Sequence, residues 1–436
     1  MKLGYRPGPI ARSSMQTLVV YGLRLGFQLA LLFLVARYLG PSQFGEFAGI
    51  AALAVGLGTL SSFGLGFLVL GESAKLPERG GALLAQAVPA TLLSAVLLGP
   101  LYFWLCREIL GSEASTSVLA LIGLSDLLLV PWLGLVSHRI HGLGQVARSQ
   151  IILVLPIGLR LIGLGTCLTL EPDAGLGLYA VVYAGGALGG LLLSLRLTRK
   201  SLAGFLHPHR PEFATLRQGA GYAVMNFMTI NPSEVDKALA LRLLGAGDAG
   251  LYALASRGLT VVTLPVIAMV LSAQPRIFRE GDSKIHGSGH LIGAMLAVSF
   301  GYGLAAAALL HFAAPALLHL VLGSLYQEIG KVISAIAFIA PFMALRFATG
   351  GILFALGRPM WRAGIEGASL LLLIGLALTL APLHGMLGLI WAVLGSEAAM
   401  ALMGCGALVC YQIDRTRKRP AAAELGDRLG QHPWES

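Results

Sequence analysis

Charge is scarce in this chain. Asp, Glu, Lys and Arg make up 12% of its 436 residues, whereas 56% are hydrophobic and mean hydropathy is +0.78. A soluble domain carries about twice that share of charge. A water-soluble fold is therefore excluded, and an all-α integral membrane protein is expected. Cysteine is also rare. Cys106, Cys167, Cys405 and Cys410 show neither C-x-x-C nor Cys/His ligand spacing, which argues against a zinc site or disulfide framework and leaves them as small apolar packers. No Walker A, H-E-x-x-H or G-x-S-x-G sequence occurs, and no metal site or cofactor is expected. The external connections, such as Glu171-Pro172-Asp173-Ala174, are too short to hold a folded domain. Whatever this protein does, it does within the membrane.

Glycine, by contrast, is abundant, at 57 residues. Small residues let membrane helices approach closely where apolar burial no longer drives association. Apolar windows long enough to span a bilayer fall at 17–38, 46–70, 82–105, 116–137, 149–170 and 175–196. A second set falls at 218–243, 249–272, 291–312, 316–340 extending toward 356, 363–382 and 386–411. The first window lacks a small-residue cleavage site and is expected to stay as a helix. About twelve transmembrane helices in two sixes result.

The sixes share a phrase. Leu34-Val35-Ala36-Arg37-Tyr38-Leu39-Gly40 through Gly45-Glu46-Phe47-Ala48 has the same form as Leu239-Ala240-Leu241-Arg242-Leu243-Leu244-Gly245 through Gly250-Leu251-Tyr252-Ala253. Both read L-x-x-R-x-L-G-x-x-x-x-G-x-[FY]-A and close one apolar segment before opening the next. Two six-helix repeats of one membrane module are expected. The G-x-G-x-x-G match at 245–250 falls inside this phrase and follows a membrane helix, not a strand, so a nucleotide site is not indicated. The division is 1–197 for the N-terminal lobe, 198–213 for a cytoplasmic linker, 214–414 for the C-terminal lobe and 415–436 for a cytoplasmic tail.

Twelve crossings force alternate loops onto opposite sides, and basic residues favour the cytoplasmic one. With the first terminus inside, only Arg37, Arg107, Arg242 and Lys331 fall outside; every other Lys or Arg beyond the spans falls inside. Both termini are thus expected in the cytoplasm. This distribution also explains the net charge of +10 without nucleic acid as a partner. His138 and His141 beside Arg139 read as solvated basic residues, and His311 and His319 lie near an external helix end, where a proton-sensing role is a candidate.

Five basic residues remain inside spans: Arg24, Arg160, Lys237, Arg257 and Arg346. A charge at membrane depth costs about 3 kcal/mol on insertion scales and usually faces water or a partner. Arg24 and Arg257 have no carboxylate one turn away on their own helices, so cavity exposure is expected. Rise per residue puts Arg24 roughly 10 Å from the inner end of its helix and Arg257 roughly 12 Å from the outer end of its own. Arg160 and Arg346 have two open readings: cavity ligands, or structural cations paired with Asp126, Glu366 or Glu397.

The seventh span is the most polar, with Asn226, Thr229 and the run Asn231-Pro232-Ser233-Glu234 before Asp236 and Lys237. That run has the form of a helix start, with Asn as N-cap and Pro at the first helical position. A mid-membrane restart and a simple proline kink both fit. Asp236 and Lys237 are expected to neutralise each other or their neighbours.

The runs ARYLGPSQFGEFA (36–48) and VDKALALRLLGAGDAGLYALASR (235–257) resemble the polysaccharide-transport branch of the multidrug/oligosaccharidyl-lipid/polysaccharide exporter superfamily, the Wzx-type flippases. The resemblance implies two six-helix bundles around a central cavity that opens alternately to each side of a bacterial cytoplasmic membrane. It implies a transporter, not an enzyme, moving a polyprenyl-diphosphate-linked oligosaccharide, with membrane lipid and other polysaccharide assembly proteins as partners. By analogy with the related lipid II flippases, Arg24 and Arg257 would contact the diphosphate. Arg160, Arg346, Asn226 and Asn231 complete the candidate substrate-binding set. Coupling to H+ or Na+ has Asp126, Glu234, Asp236, Lys237, Glu366 and Glu397 as candidates. The rival functions are a multidrug and toxin extrusion-type cation antiporter, which favours cavity acids, and a membrane polymerase or ligase of lipid-linked sugars, which favours a large external loop.

Overall fold

In the computed structural model the chain is described over residues 9–171, 175–202, 205, 207–282, 288–316 and 328–429, with side chains described over 19–20, 22–171, 175–202, 205, 207–270, 292–316 and 328–413. The connection at 172–174, Lys284, His319 and the last seven tail residues lie outside this description. Among the described residues there is no strand; the fold is all-α.

The helix Pro9–Ser61 turns at Gly40 into α1 (9–39) and α2, which continues past a break at 62–64 into Leu65–Lys75. Then follow α3 (77–109), α4 (116–142), α5 (Val146–Leu170) and α6 (Gly175–Thr198). The second half comprises α7 (213–244), α8 (Ala246–Asp282), α9 (Ser288–Phe312) and α10 (329–355). The helix Pro359–Leu429 turns at Gly385 into α11 (359–384) and α12 (386–429). Nine helical stretches are long and apolar enough to cross a membrane among the described residues. Two of these, Gly22–Ser61 and Pro359–Ile413, each contain a glycine turn and hold two crossings. Broken, polar α7 completes the expected twelve. The tenth span begins at Ile329, later than the window suggested, and a 3-10 turn at 337–339 precedes its Pro341.

The repeated phrase takes one backbone form twice. Gly40 has φ 69 and ψ 174, and Gly245 has φ 85 and ψ 170. Positive φ is inexpensive only without a Cβ, so glycine at this point of the phrase is what lets each helix pair turn sharply. Five residues later, Gly45 and Gly250 meet across the two halves. A Cβ on Gly45 would lie 1.9 Å from the Ala246 carbonyl oxygen, and one on Gly250 would lie 2.0 Å from that of Pro41. Nearby, Glu46 accepts hydrogen bonds from the Ser112 hydroxyl (3.0 Å) and the Ala114 amide (2.7 Å), and Gln43 accepts from the Leu176 amide (2.8 Å). The polar first turn of α2 thus holds the α3–α4 connection and the first turn of α6 in place.

Two buried clusters cross between the halves near this end, one carrying Ala52 and Leu110 into the second half's core and the other carrying Ala253 and Leu254 into the first. At the opposite end lie two further cores, one around Val69, Leu84 and Leu133, against which Leu216 of α7 packs, and the other around Val266, Ile292 and Ile352. Residues 209–212 of the linker lie along α3: the His209 amide donates to the Ala85 carbonyl (2.9 Å) and the Glu212 amide to the Gln86 side chain (3.2 Å).

Candidate functional site

Two cavities follow one another along α2, with Val55 on both. The first, about 330 Å³, lies between the halves and is walled by α1, α2, α5 and α6 on one side and α7 and α8 on the other. It begins beside the Gly45–Gly250 seam, at Phe44 and Phe47. The second, about 370 Å³, lies between α2, α4 and α7 and runs toward the opposite end, past Asp126, His138 and Asn226.

Three cations line the first cavity: Arg160, Lys237 and Arg257. Arg257 is the accessible one, with 46% of its side chain exposed. Its Nη2 lies 3.7 Å from Glu234, which reaches it from α7. Searching one turn along its own helix could not have found that partner. Lys237 is buried and lies 3.3 Å from both Glu234 and Asp236, and its ammonium also donates to the Ser233 carbonyl. Asp236 in turn accepts from the Tyr252 hydroxyl at 2.7 Å. The expected neutralisation of Asp236 and Lys237 is present, with Glu234 as a third member.

Arg160 is buried yet forms part of the cavity wall. Its guanidinium stacks 3.5 Å from the centre of the Tyr183 ring, donates to the Tyr183 carbonyl (3.0 Å) and donates to the Ser125 hydroxyl (3.0 Å). Asp126 accepts from the Tyr183 hydroxyl (2.9 Å) and from Ser125 (3.1 Å). Asp126 faces the second cavity while Tyr183 and Arg160 face the first, so this cluster is the partition between them. A π-helical turn over Ser125–Leu129 presents Asp126 there. Such turns frequently accompany functional sites, and the apolar pattern gave no sign of it.

Arg24 lines neither cavity. Its Nη1 donates to the Gln150 side-chain oxygen of α5 (3.4 Å), whereas Leu25 and Gln28 of the same helix line the first cavity, as does Arg160. The reason is rotational: depth along a helix follows from counting residues, but the direction a side chain faces depends on the neighbours. Arg346 lies beside one of the carboxylates named as its partners. Its Nε lies 3.1 Å from Glu397 as an ionic contact without hydrogen-bond alignment, and its Nη2 donates to the Ser233 hydroxyl (3.2 Å). Glu366 accepts from Thr229 (2.9 Å) and Arg362 (3.0 Å).

These contacts converge on a break in α7. Residues Asn231–Ser233 form a 3-10 turn, and the helix resumes at Val235. The restart exists, but its expected cap does not: the Asn231 amide donates backward to the Phe227 carbonyl (2.8 Å). Gly56 of α2 leaves the Asn231 side-chain oxygen its space. Broken-helix backbone at membrane depth survives only where it is buried in protein or lines a cavity, and here Lys237 and Arg346 bind the Ser233 carbonyl and hydroxyl. Among the described residues no cluster of His, Cys, Asp or Glu has the form of a metal site.

Comparison with known proteins agrees with this architecture. No curated protein matches the sequence significantly. The chain superimposes on an inward-facing multidrug resistance MATE family transporter of the MOP superfamily with TM-score 0.73 and 14% identity, over 90% of this chain and 96% of that one. The outward-facing form of a transporter so described gives 0.61 at 14% identity, over 93% and 96%. A MOP superfamily transporter from Pyrococcus furiosus, described as having a binding pocket of reversed polarity, gives 0.63 at 14% identity, over 91% and 93%. The shared fold is that of MOP superfamily transporters. The model of the polysaccharide biosynthesis protein family matches residues 10–280, which include the broken α7, both copies of the repeated phrase and every helix that walls the first cavity. The chain belongs to the polysaccharide biosynthesis protein family.

Proposed function

We propose that this chain is a flippase that carries a polyprenyl-diphosphate-linked oligosaccharide across a cytoplasmic membrane by alternating access of two six-helix lobes. The observation that carries this reading is the first cavity: a space between the halves of a polysaccharide biosynthesis family member, with Arg160 on one wall and Lys237 and Arg257 on the other. Guanidinium forks match phosphate oxygens in pairs. A low-dielectric surround strengthens such contacts, and the lipid tail can remain in the bilayer while the head group moves. With the amino terminus inside, the Gly45–Gly250 seam lies at the outer end and the second cavity lies on the cytoplasmic side of the partition. Asn226 on the second cavity's wall is a candidate hydrogen-bond partner for sugar hydroxyls. Energy comes from an H+ or Na+ gradient, with Asp126 on the partition as the candidate carrier, or from consumption of the sugar outside.

A second reading, an organic-cation antiporter, is favoured by Glu234 on the first cavity's wall. Lys237 and Arg160 have Asp236 and Asp126 near them, but the accessible side chain among the cavity's charges is the Arg257 guanidinium, which is why the anionic substrate is preferred here. The deciding experiment is Arg257→Ala and Arg160→Ala in cells lacking the native protein, with membrane levels verified. Surface polymer is expected to fall at least tenfold, with lipid-linked repeat units accumulating on the inner leaflet and drug susceptibility unchanged. Normal polymer delivery with increased drug sensitivity would establish the antiporter instead.

A further inference from the structure

Glu234 occupies an unusual position for a site that takes an anion. It is buried at the α7 break, its two oxygens are divided between two basic side chains, and both of those line the cavity between the halves. Oε2 lies 3.3 Å from the Lys237 ammonium and Oε1 lies 3.7 Å from the Arg257 guanidinium. A carboxylate held by two cations in this way has the chemistry of a bound phosphate.

We infer that Glu234 is an internal stand-in for the substrate's diphosphate, a positioning residue that the head group displaces on binding and that expels it on release. This rests on the flippase reading above. The two cations are not equally held. Lys237 keeps Asp236 and the Ser233 carbonyl if Glu234 lets go, whereas no other carboxylate lies within ion-pair distance of Arg257 among the described residues. Arg257 is also half-exposed and its contact is the longer one. An arriving phosphate therefore exchanges first onto Arg257, without stripping Lys237 of compensation.

The same exchange run backward supplies release. A cavity that bound diphosphate with no acid able to return to Arg257 would hold it too tightly to let go at the far side. Returning Glu234 to Arg257 restores neutrality as the anion leaves, so the acid lowers affinity in order to permit turnover. A ligand bound equally well in every state gains nothing in rate. Glu234 sits at the break between the two segments of α7, so a change in its partners acts where that helix bends.

The test uses the full-length protein in lipid nanodiscs and proteoliposomes, with polyprenyl diphosphate and inorganic pyrophosphate as separate probes. Glu234→Gln keeps size and hydrogen-bonding capacity while removing the charge. It is expected to bind polyprenyl diphosphate roughly tenfold more tightly, the order of one lost like-charge contact near the ligand, while flipping of the lipid-linked saccharide falls by a similar factor. Arg257→Ala combined with Glu234→Gln is expected to remove the gain. Glu234→Asp is shorter and draws back from Arg257, so it is expected to shift both quantities in the same directions by less. Tighter binding of pyrophosphate alone, without the lipid form, would assign the site to free phosphate and overturn the inference. So would weaker binding together with slower flipping, because a purely structural acid loses both. If the wild-type protein binds neither probe but binds an organic cation, the flippase reading itself fails.

Discussion

Gly45→Ala tests whether the seam between the halves is a gate. The added methyl carbon would lie 1.9 Å from the Ala246 carbonyl oxygen and 2.4 Å from the Gly250 amide nitrogen. Contacts under 3.0 Å are essentially absent between real atoms of these kinds, so the helices must separate there by more than 1 Å. Both opposing atoms are backbone, and no side-chain rotation can relieve the clash. Overpacking of this kind costs about 1–3 kcal/mol. In a two-state transporter that cost falls on the state in which the seam is closed, and 1–3 kcal/mol moves such an equilibrium by about 5- to 150-fold. Spin labels at Glu113, on the α3–α4 connection, and Glu328, just before α10, in a background lacking the native cysteines, would report the separation of the two halves at this end. The variant is expected to show a new, longer distance population and reduced flipping. Unchanged distances with unchanged transport would refute the gate. An unfolded protein would show instead that the seam serves assembly, a result that a thermal-unfolding measurement distinguishes.

Two further outcomes follow from the ionic contacts. Glu397→Ala leaves Arg346 buried without its carboxylate and is expected to destabilise the protein by about 3–5 kcal/mol, read as a lowered Tm in detergent. Replacing both partners with Leu and Met should recover most of that loss, and failure of the double variant to recover would mean that Arg346 acts on something besides Glu397. Asp126→Asn leaves a neutral acceptor for Tyr183 on the partition between the cavities. Stimulation of flipping by an imposed pH or sodium gradient is expected to vanish in this variant while gradient-free flipping persists; full stimulation would remove Asp126 from coupling.

Much of the fold was legible because the bilayer imposes a strong rule. Each backbone polar group in lipid must be satisfied within its own helix, so window length and hydropathy gave twelve spans to within a few residues. The exception was the tenth, which starts at Ile329. The repeated phrase marks two sharp helix turns, because only glycine takes φ near 69 or 85 without strain. The charge scarcity made Arg160, Lys237, Arg257 and Arg346 conspicuous. The absence of a carboxylate one turn away marked Arg24 and Arg257 as cavity residues and left Arg160 and Arg346 open; Arg257 and Arg160 line the first cavity, whereas Arg24 meets Gln150.

The sequence by itself determined class, crossing number and the inventory of buried charge, since these depend on composition and on distances along the chain. Which carboxylate answers which cation was decided only by tertiary structure. Glu234 reaches Arg257 from another helix, Glu397 reaches Arg346 across 51 positions of chain, and the π-helical turn that places Asp126 on the partition leaves no mark in hydropathy. Electrostatic pairing depends on separation in space, and in a bundle of long helices that separation is set by rotation about each axis and by how closely glycine lets two backbones approach.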